Sequence, residues 1–142
     1  MKRSLLVMFV LVSTLFLLVS FVVLAQDAPA TVVYGQPDFA SGAVNRGGGA
    51  SAETLNYPLG MTLDPDGGLY IADRNNHRVL YYANDGNQTA DRVYGQCDNF
   101  NTYIANNNCT NGNSSGPSAN NLNNPTAVGL DAGGGIVRRR PR

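Results

Sequence analysis

The chain has 142 residues, with ten Lys and Arg balanced by ten Asp and Glu, one histidine, two cysteines and no tryptophan. The basic residues crowd the ends: between Gln26 and Val137 only four arginines face all ten acids, a net charge of −6. An acidic body with no basic stripe argues against nucleic-acid binding, which needs clustered Lys and Arg to displace counterions. One histidine and two cysteines are too few for a four-ligand zinc centre, and no metal or cofactor is expected.

Met1-Lys2-Arg3 precedes an apolar run from Leu5 to Leu24, broken only by Ser13, Thr14 and Ser20. The run predicts a hydrophobic helix. Val23-Leu24-Ala25 offers small residues where a signal peptidase reads, so cleavage is expected between Ala25 and Gln26. At about 20 residues the run is also long enough to span a bilayer. Residues 1–25 are therefore read as a signal peptide or an N-terminal membrane anchor, with cleavage favoured. Both readings put the remainder outside the cytoplasm, with the basic end inside. Membrane contact is confined to residues 5–24 of an uncleaved chain.

Residues 26–30 form a short linker, and Thr31–Gln36 is a strand candidate. Leu55–Tyr82 then reads as three strands and two tight turns. In Asp64-Pro65-Asp66-Gly67-Gly68, proline pre-sets the second position of a type I turn and Gly67 can take the left-handed conformation that leads into the next strand. Arg74-Asn75-Asn76-His77 separates Leu69–Asp73 from Arg78–Tyr82, and asparagine accepts positive φ in such turns. If these strands pair directly, Asp73 faces Arg78 where the hairpin closes. The expectation is an exposed ion pair contributing about 0–1 kcal/mol. The two strands are apolar on both alternating faces, which calls for a sheet covered on both sides. Radially stacked antiparallel four-stranded sheets, the β-propeller, meet that need.

The residues Pro58, Gly60, Met61, Leu63, Asp64, Asp66, Gly67, Leu69, Tyr70, Ile71, Ala72, Asp73, Asn76, His77, Arg78 and Val79 together resemble an NHL repeat. The resemblance implies an all-β fold, an antiparallel four-stranded blade of an NHL-type propeller. It implies structural roles for Pro58, Gly60, Asp64, Gly67, Tyr70, Asp73, Asn76, His77 and Arg78. The family consists mostly of binding scaffolds, with a minority of enzymes.

The chain also repeats itself. Thr31–Gln36 has a twin in Arg92–Gln96, Leu55–Pro58 in Leu122–Pro125, and Gly60–Gly68 in Ala127–Gly135. The period is about 60–67 residues, longer than the common propeller blade of about 40–50. Residues 31–98 are read as a first NHL-type blade with an inserted loop, residues 99–124 as a mobile Asn/Gly/Ser-rich loop, and 125–137 as the first strand of a second blade. Residues 138–142 form an Arg-rich tail where the repeat calls for an apolar strand. Such charge does not suit a buried sheet, and a frameshift or incomplete gene is the expected origin. Cys97 and Cys109 lie in an exported, Asn-rich stretch, and a disulfide is favoured over free thiols.

A blade with two apolar faces needs neighbours, so the chain is read as an incomplete propeller, inclined to self-associate through blade edges. Three functions follow. The favoured one is a non-catalytic extracytoplasmic scaffold for a protein, peptide or glycan. The alternatives are a truncated member of a lactonase- or lyase-like propeller family and a non-functional gene fragment. No catalytic residue is assigned, because Asp64 and Asp73 suit turn closure.

Overall fold

The first turn sets the geometry of the whole sheet. In the computed structural model, which describes residues 29–118 and 120–137, the Gly67 N–H donates to Asp64 O at 3.1 Å and the Asp64 N–H to Gly68 O at 2.9 Å. The Asp64 carboxylate accepts from the Asp66 and Gly68 amides at 3.0 and 2.7 Å. Gly67 takes φ +85°, a left-handed value that glycine reaches without steric cost. The turn joins β1, Pro58–Leu63, to β2, Leu69–Asp73. A single 3-10 turn, Arg74–Asn76, closed by a left-handed His77, then leads into β3, Arg78–Tyr82. A fourth strand, β4, Arg92–Tyr94, completes an antiparallel sheet in the order β1-β2-β3-β4.

The register explains where the core sits. Met61 pairs with Ile71, Ile71 with Leu80, and Leu80 with Val93, so the four share one face. Leu55, Ile71, Leu80, Tyr82, Ala90 and Val93 form the buried cluster, with Tyr34, Ala52, Leu69 and Phe100 packed against it. Part of this cover comes from the segment before β1, which lays Tyr34, Ala52 and Leu55 over β2 and β3. The Tyr34 and Tyr82 rings meet at 4.7 Å. On the other face Tyr70 touches Tyr81, with centroids 4.7 Å apart, and lies 6.2 Å from Tyr94. The central strands are therefore covered on both sides. β1 is not: Met61 and Leu63 are 72% and 64% exposed, and Pro58 opens it where an edge strand tolerates proline.

A second hairpin repeats the first turn. β5, Gly129–Leu130, pairs with β6, Ile136–Val137. Asp131 makes the same set of bonds as Asp64: its N–H donates to Gly135 O at 2.8 Å and its O accepts from the Gly134 N–H at 3.0 Å. Its carboxylate accepts from the Gly133 and Gly135 amides at 2.9 and 2.8 Å. The proline and second aspartate of the first turn are replaced by Ala132 and Gly133 without loss of this pattern. The second repeat thus supplies two paired strands rather than a lone first strand.

Two expectations change. Thr31–Gln36 is not a strand. Its twin Arg92–Tyr94 is one because β3 lies alongside it, and Thr31–Tyr34 has no such neighbour among the described residues. The loop from residue 99 to 124 is internally tied rather than loose. Asn106 and Asn108 donate to Leu122 O and Asn113 O at 2.9 and 3.0 Å, and Ser115 donates to Asn106 O at 2.9 Å. The hydrophobic helix at residues 5–24, the Ala25–Gln26 step and the Arg-rich tail at 138–142 lie outside the described residues.

Candidate functional site

Arg78 is the hub of the molecule. Its side chain is fully buried, as is that of Asp73, and Nε donates to Asp73 Oδ2 at 2.7 Å. The pair closes the β2–β3 hairpin in the expected register, but the expected exposure is wrong. Asp73 shares its face with Ile71, and Arg78 with Leu80, so strand alternation turns both inward. Burying an isolated guanidinium is very costly, and it persists only where hydrogen bonds replace water. Here Nη1 donates to Phe100 O, and Nη2 donates to Ser51 O at 2.9 Å and to Thr54 O at 2.7 Å.

Asp73 and Asn76 extend the hub. Asp73 accepts the Asn56 N–H at 2.7 Å and the Asn76 amide at 2.8 Å. The Asn76 amide nitrogen also donates to Asn45 Oδ1 at 2.9 Å. The segment before β1 and the loop after β4 are therefore both fastened to the β2–β3 turn. The Asp, Asn and Arg of the repeat act as a clamp on flanking loops as much as a turn closure.

The next residue, His77, faces the second repeat. Its Nδ1 accepts the Asn124 N–H at 3.1 Å, and its backbone O accepts from Gln96 Nε2 at 3.0 Å. Burial, with the Arg74 charge beside it, holds the imidazole below its ordinary value of 6.5, against an opposing hydrogen bond with Asn123. Gln96 is fully buried. It also donates to Ile104 O at 2.9 Å and accepts from the Ile104 N–H at 3.2 Å and the Asn107 amide at 3.3 Å. This one amide shapes the loop after β4, and sequence reasoning missed its role. The signal was there in the twinned Tyr-Gly-Gln of residues 34–36 and 94–96.

Cys97 and Cys109 are joined in a disulfide, with Cα atoms 5.4 Å apart. Beside it opens a groove of about 560 Å³ lined by Val93, Tyr94, Gly95, Cys97, Asp98, Cys109 and Asn120. An aromatic ring, a carboxylate and an amide thus converge at the outer edge of the sheet. A smaller groove of about 350 Å³ lies between the Arg46–Glu53 ion pair (2.8 Å) and Gly86–Thr89. Deeper in the sheet, burial and then the neighbouring Tyr94 push the Tyr70 hydroxyl up to about 12. Tyr81 is raised by burial and by the Asp64 carboxylate. Such hydroxyls stay protonated at neutral pH.

Pro58, Gly60, Asp64, Gly67 and Tyr70 fall on the β1–β2 hairpin, and Asp73, Asn76, His77 and Arg78 on the β2–β3 turn. These two sets converge on the fold and do not form a shared cavity. Among the described residues, no three His, Cys, Asp or Glu side chains gather as metal ligands would. Among the same residues, no helix is long and apolar enough to cross a membrane. The model of one family, the NHL repeat, matches residues 55–82, the span of β1 to β3 with Leu55–Tyr57 before it. No curated protein and no solved structure matches the chain.

Proposed function

From the premise that this chain carries an NHL repeat, we propose that it is an extracytoplasmic scaffold that binds a protein, peptide or glycan and performs no catalysis of its own. An NHL repeat points to a propeller-like binding scaffold. The observation that carries the reading is where the repeat's reactive side chains are engaged. Asp64 holds its turn, Asp73 and Arg78 hold the loops, and His77 holds Asn124. Recognition then falls to the loops. The groove beside the disulfide offers Tyr94, Asp98 and Asn120. This combination suits a sugar or an extended peptide, which need an apolar platform and a few placed polar groups. The apolar run at residues 5–24 and the cysteine pair support the location.

The test is binding of the full chain to immobilised glycans and peptides. The expected result is a saturable ligand whose retention falls with Tyr94→Ala and Asp98→Asn. Turnover of a lactone or uronide substrate, lost with Asp64→Asn, would contradict the reading.

A further inference from the structure

Three Asn-x-Ser/Thr triplets stand in the chain, at Asn87-Gln88-Thr89, Asn108-Cys109-Thr110 and Asn113-Ser114-Ser115. On an exported surface loop such a triplet is an acceptor for N-linked sugar, provided that the middle residue is not proline. The sequence treats the three alike, and the structure does not.

Asn87 lies at the tip of the turn that joins β3 to β4. The base of that turn is fixed. The Ala83 N–H donates to Asp91 Oδ2 at 2.7 Å, the Asp91 N–H to Tyr81 O at 2.8 Å and the Ala90 N–H to Ala52 O at 2.9 Å. The tip stands clear: Asp85, Gly86, Asn87 and Thr89 are all exposed, and a Cβ at Gly86 would meet nothing within 4 Å. The Asn87 side chain is nevertheless held in one pose. Its Oδ1 accepts the Thr89 N–H at 2.8 Å. Its Nδ2 donates to Asp85 Oδ2 at 2.6 Å, and its backbone N–H to Asp85 Oδ1 at 3.0 Å. The Thr89 hydroxyl makes no hydrogen bond among the described residues. That matters because the third residue of the triplet must carry a hydroxyl, so the hydroxyl is what a modifying enzyme reads.

The other two triplets are closed. Asn108 is half-buried, its Nδ2 donates to Asn111 Oδ1 at 2.7 Å, and the Thr110 hydroxyl donates to Asn108 O at 3.3 Å. Cys109 between them is locked in the disulfide. In the third triplet the Ser115 hydroxyl donates to Asn106 O at 3.0 Å and accepts from the Asn121 amide at 3.3 Å.

We infer that Asn87 is an N-glycosylation site, taking an oligosaccharide from a lipid pyrophosphate donor while Asn108 and Asn113 of the folded chain stay bare. Asn87 Nδ2 forms a bond to the anomeric carbon as the bond from that carbon to the pyrophosphate oxygen breaks. The lipid pyrophosphate leaves with the electron pair. The amide proton passes to Asp85 Oδ2, already its hydrogen-bond acceptor, and nothing is oxidised or reduced. In the cell this rests on the extracytoplasmic reading, to which it adds a modification.

The experiment incubates the purified full chain, in detergent and with its disulfide intact, with a polyisoprenol pyrophosphate-linked oligosaccharide. The catalyst is a single-subunit oligosaccharyltransferase that accepts any Asn-x-Ser/Thr. Mass spectrometry is expected to find one glycan per chain, on the tryptic peptide of residues 79–92. Asn87→Gln and Thr89→Val are expected to abolish it, and Asp85→Asn to slow it about tenfold or more. Asn108→Gln and Asn113→Gln should change nothing. An unmodified 79–92 peptide overturns the inference, as does equal occupancy of Asn108 or Asn113. A rate indifferent to Asp85→Asn overturns the part given to Asp85. The reaction needs no export, so finding the chain in the cytoplasm of its own cell would contradict the location alone, and the two ideas fail separately.

Discussion

The loop that enters the first repeat and the loop that enters the second share a skeleton but are fastened by different means. Residues 35–57 are held chiefly by the Asp73–Asn76–Arg78 hub, with an Arg46–Glu53 pair at the surface. Residues 95–124 share that hub only through Phe100 O and are otherwise held by Gln96, by His77 and by the disulfide. They are six residues longer between Asn106 and Leu122 than the first loop is between Asn45 and Leu55, pairs bonded alike from amide to carbonyl. The difference teaches that the Tyr-Gly-Gln and Leu-Asn-x-Pro frames set the loop's path. What lies beside the frame decides how firmly it is held.

Four substitutions or conditions break or sharpen that comparison. The largest effect belongs to Arg78→Lys. A lysine cannot reproduce the fork that reaches Asp73 and three carbonyls. Stability should fall by about 3–5 kcal/mol, read by urea unfolding, because buried groups lose their partner. Both loops should loosen together. Next comes Cys97→Ser with Cys109→Ser. Opening a ring of this size should cost about 3 kcal/mol in the chain-entropy model. It should free the second loop while leaving the Asn45 amide protected.

Third is a matched pair. Gln96→Ala strands the part-buried carbonyls of His77 and Ile104 and should cost about 1–3 kcal/mol. Gln36→Ala, with one such bond to Ala43, should cost about 0.5–1.5 kcal/mol. Equal losses in the two melts would undo the claim that the two glutamines fasten their loops to different degrees. The smallest effect is that of acid. His77 titrates below 6.5 when folded, so the unfolded chain takes up its proton first. Its contribution is present above about 6.5 and declines as pH falls from there toward the folded value. Melting temperature should drop between pH 7.5 and 5, and His77→Asn should flatten that part of the slope.

Much of this was legible beforehand. Continuous apolar runs and the Asp-Pro-Asp-Gly-Gly turn reveal the three strands β1 to β3, because run length and turn chemistry are local properties. The twin of that turn is also visible, although the arginines that follow directly obscure the strand Ile136–Val137. The burial of Asp73 and Arg78 was missed because charge was weighed above strand parity. Parity alone puts Asp73 on the face of Ile71 and Arg78 on that of Leu80. Thr31–Tyr34 fails as a strand for a non-local reason, since a ladder needs a neighbour that the segment itself does not encode. The Asn-rich loop looked loose by composition. Its order rests on contacts of the buried Gln96 and of His77, which composition cannot reveal.

Amide hydrogen exchange of the full chain tests most directly whether the buried hub joins sheet and loops into one unit. The Asn45 and Asn106 amides should be protected nearly as well as those of Leu80 and Ile71, and Arg78→Lys should release both loop amides. Loop amides that exchange at the rate of free peptide while β2 and β3 stay protected would contradict the account.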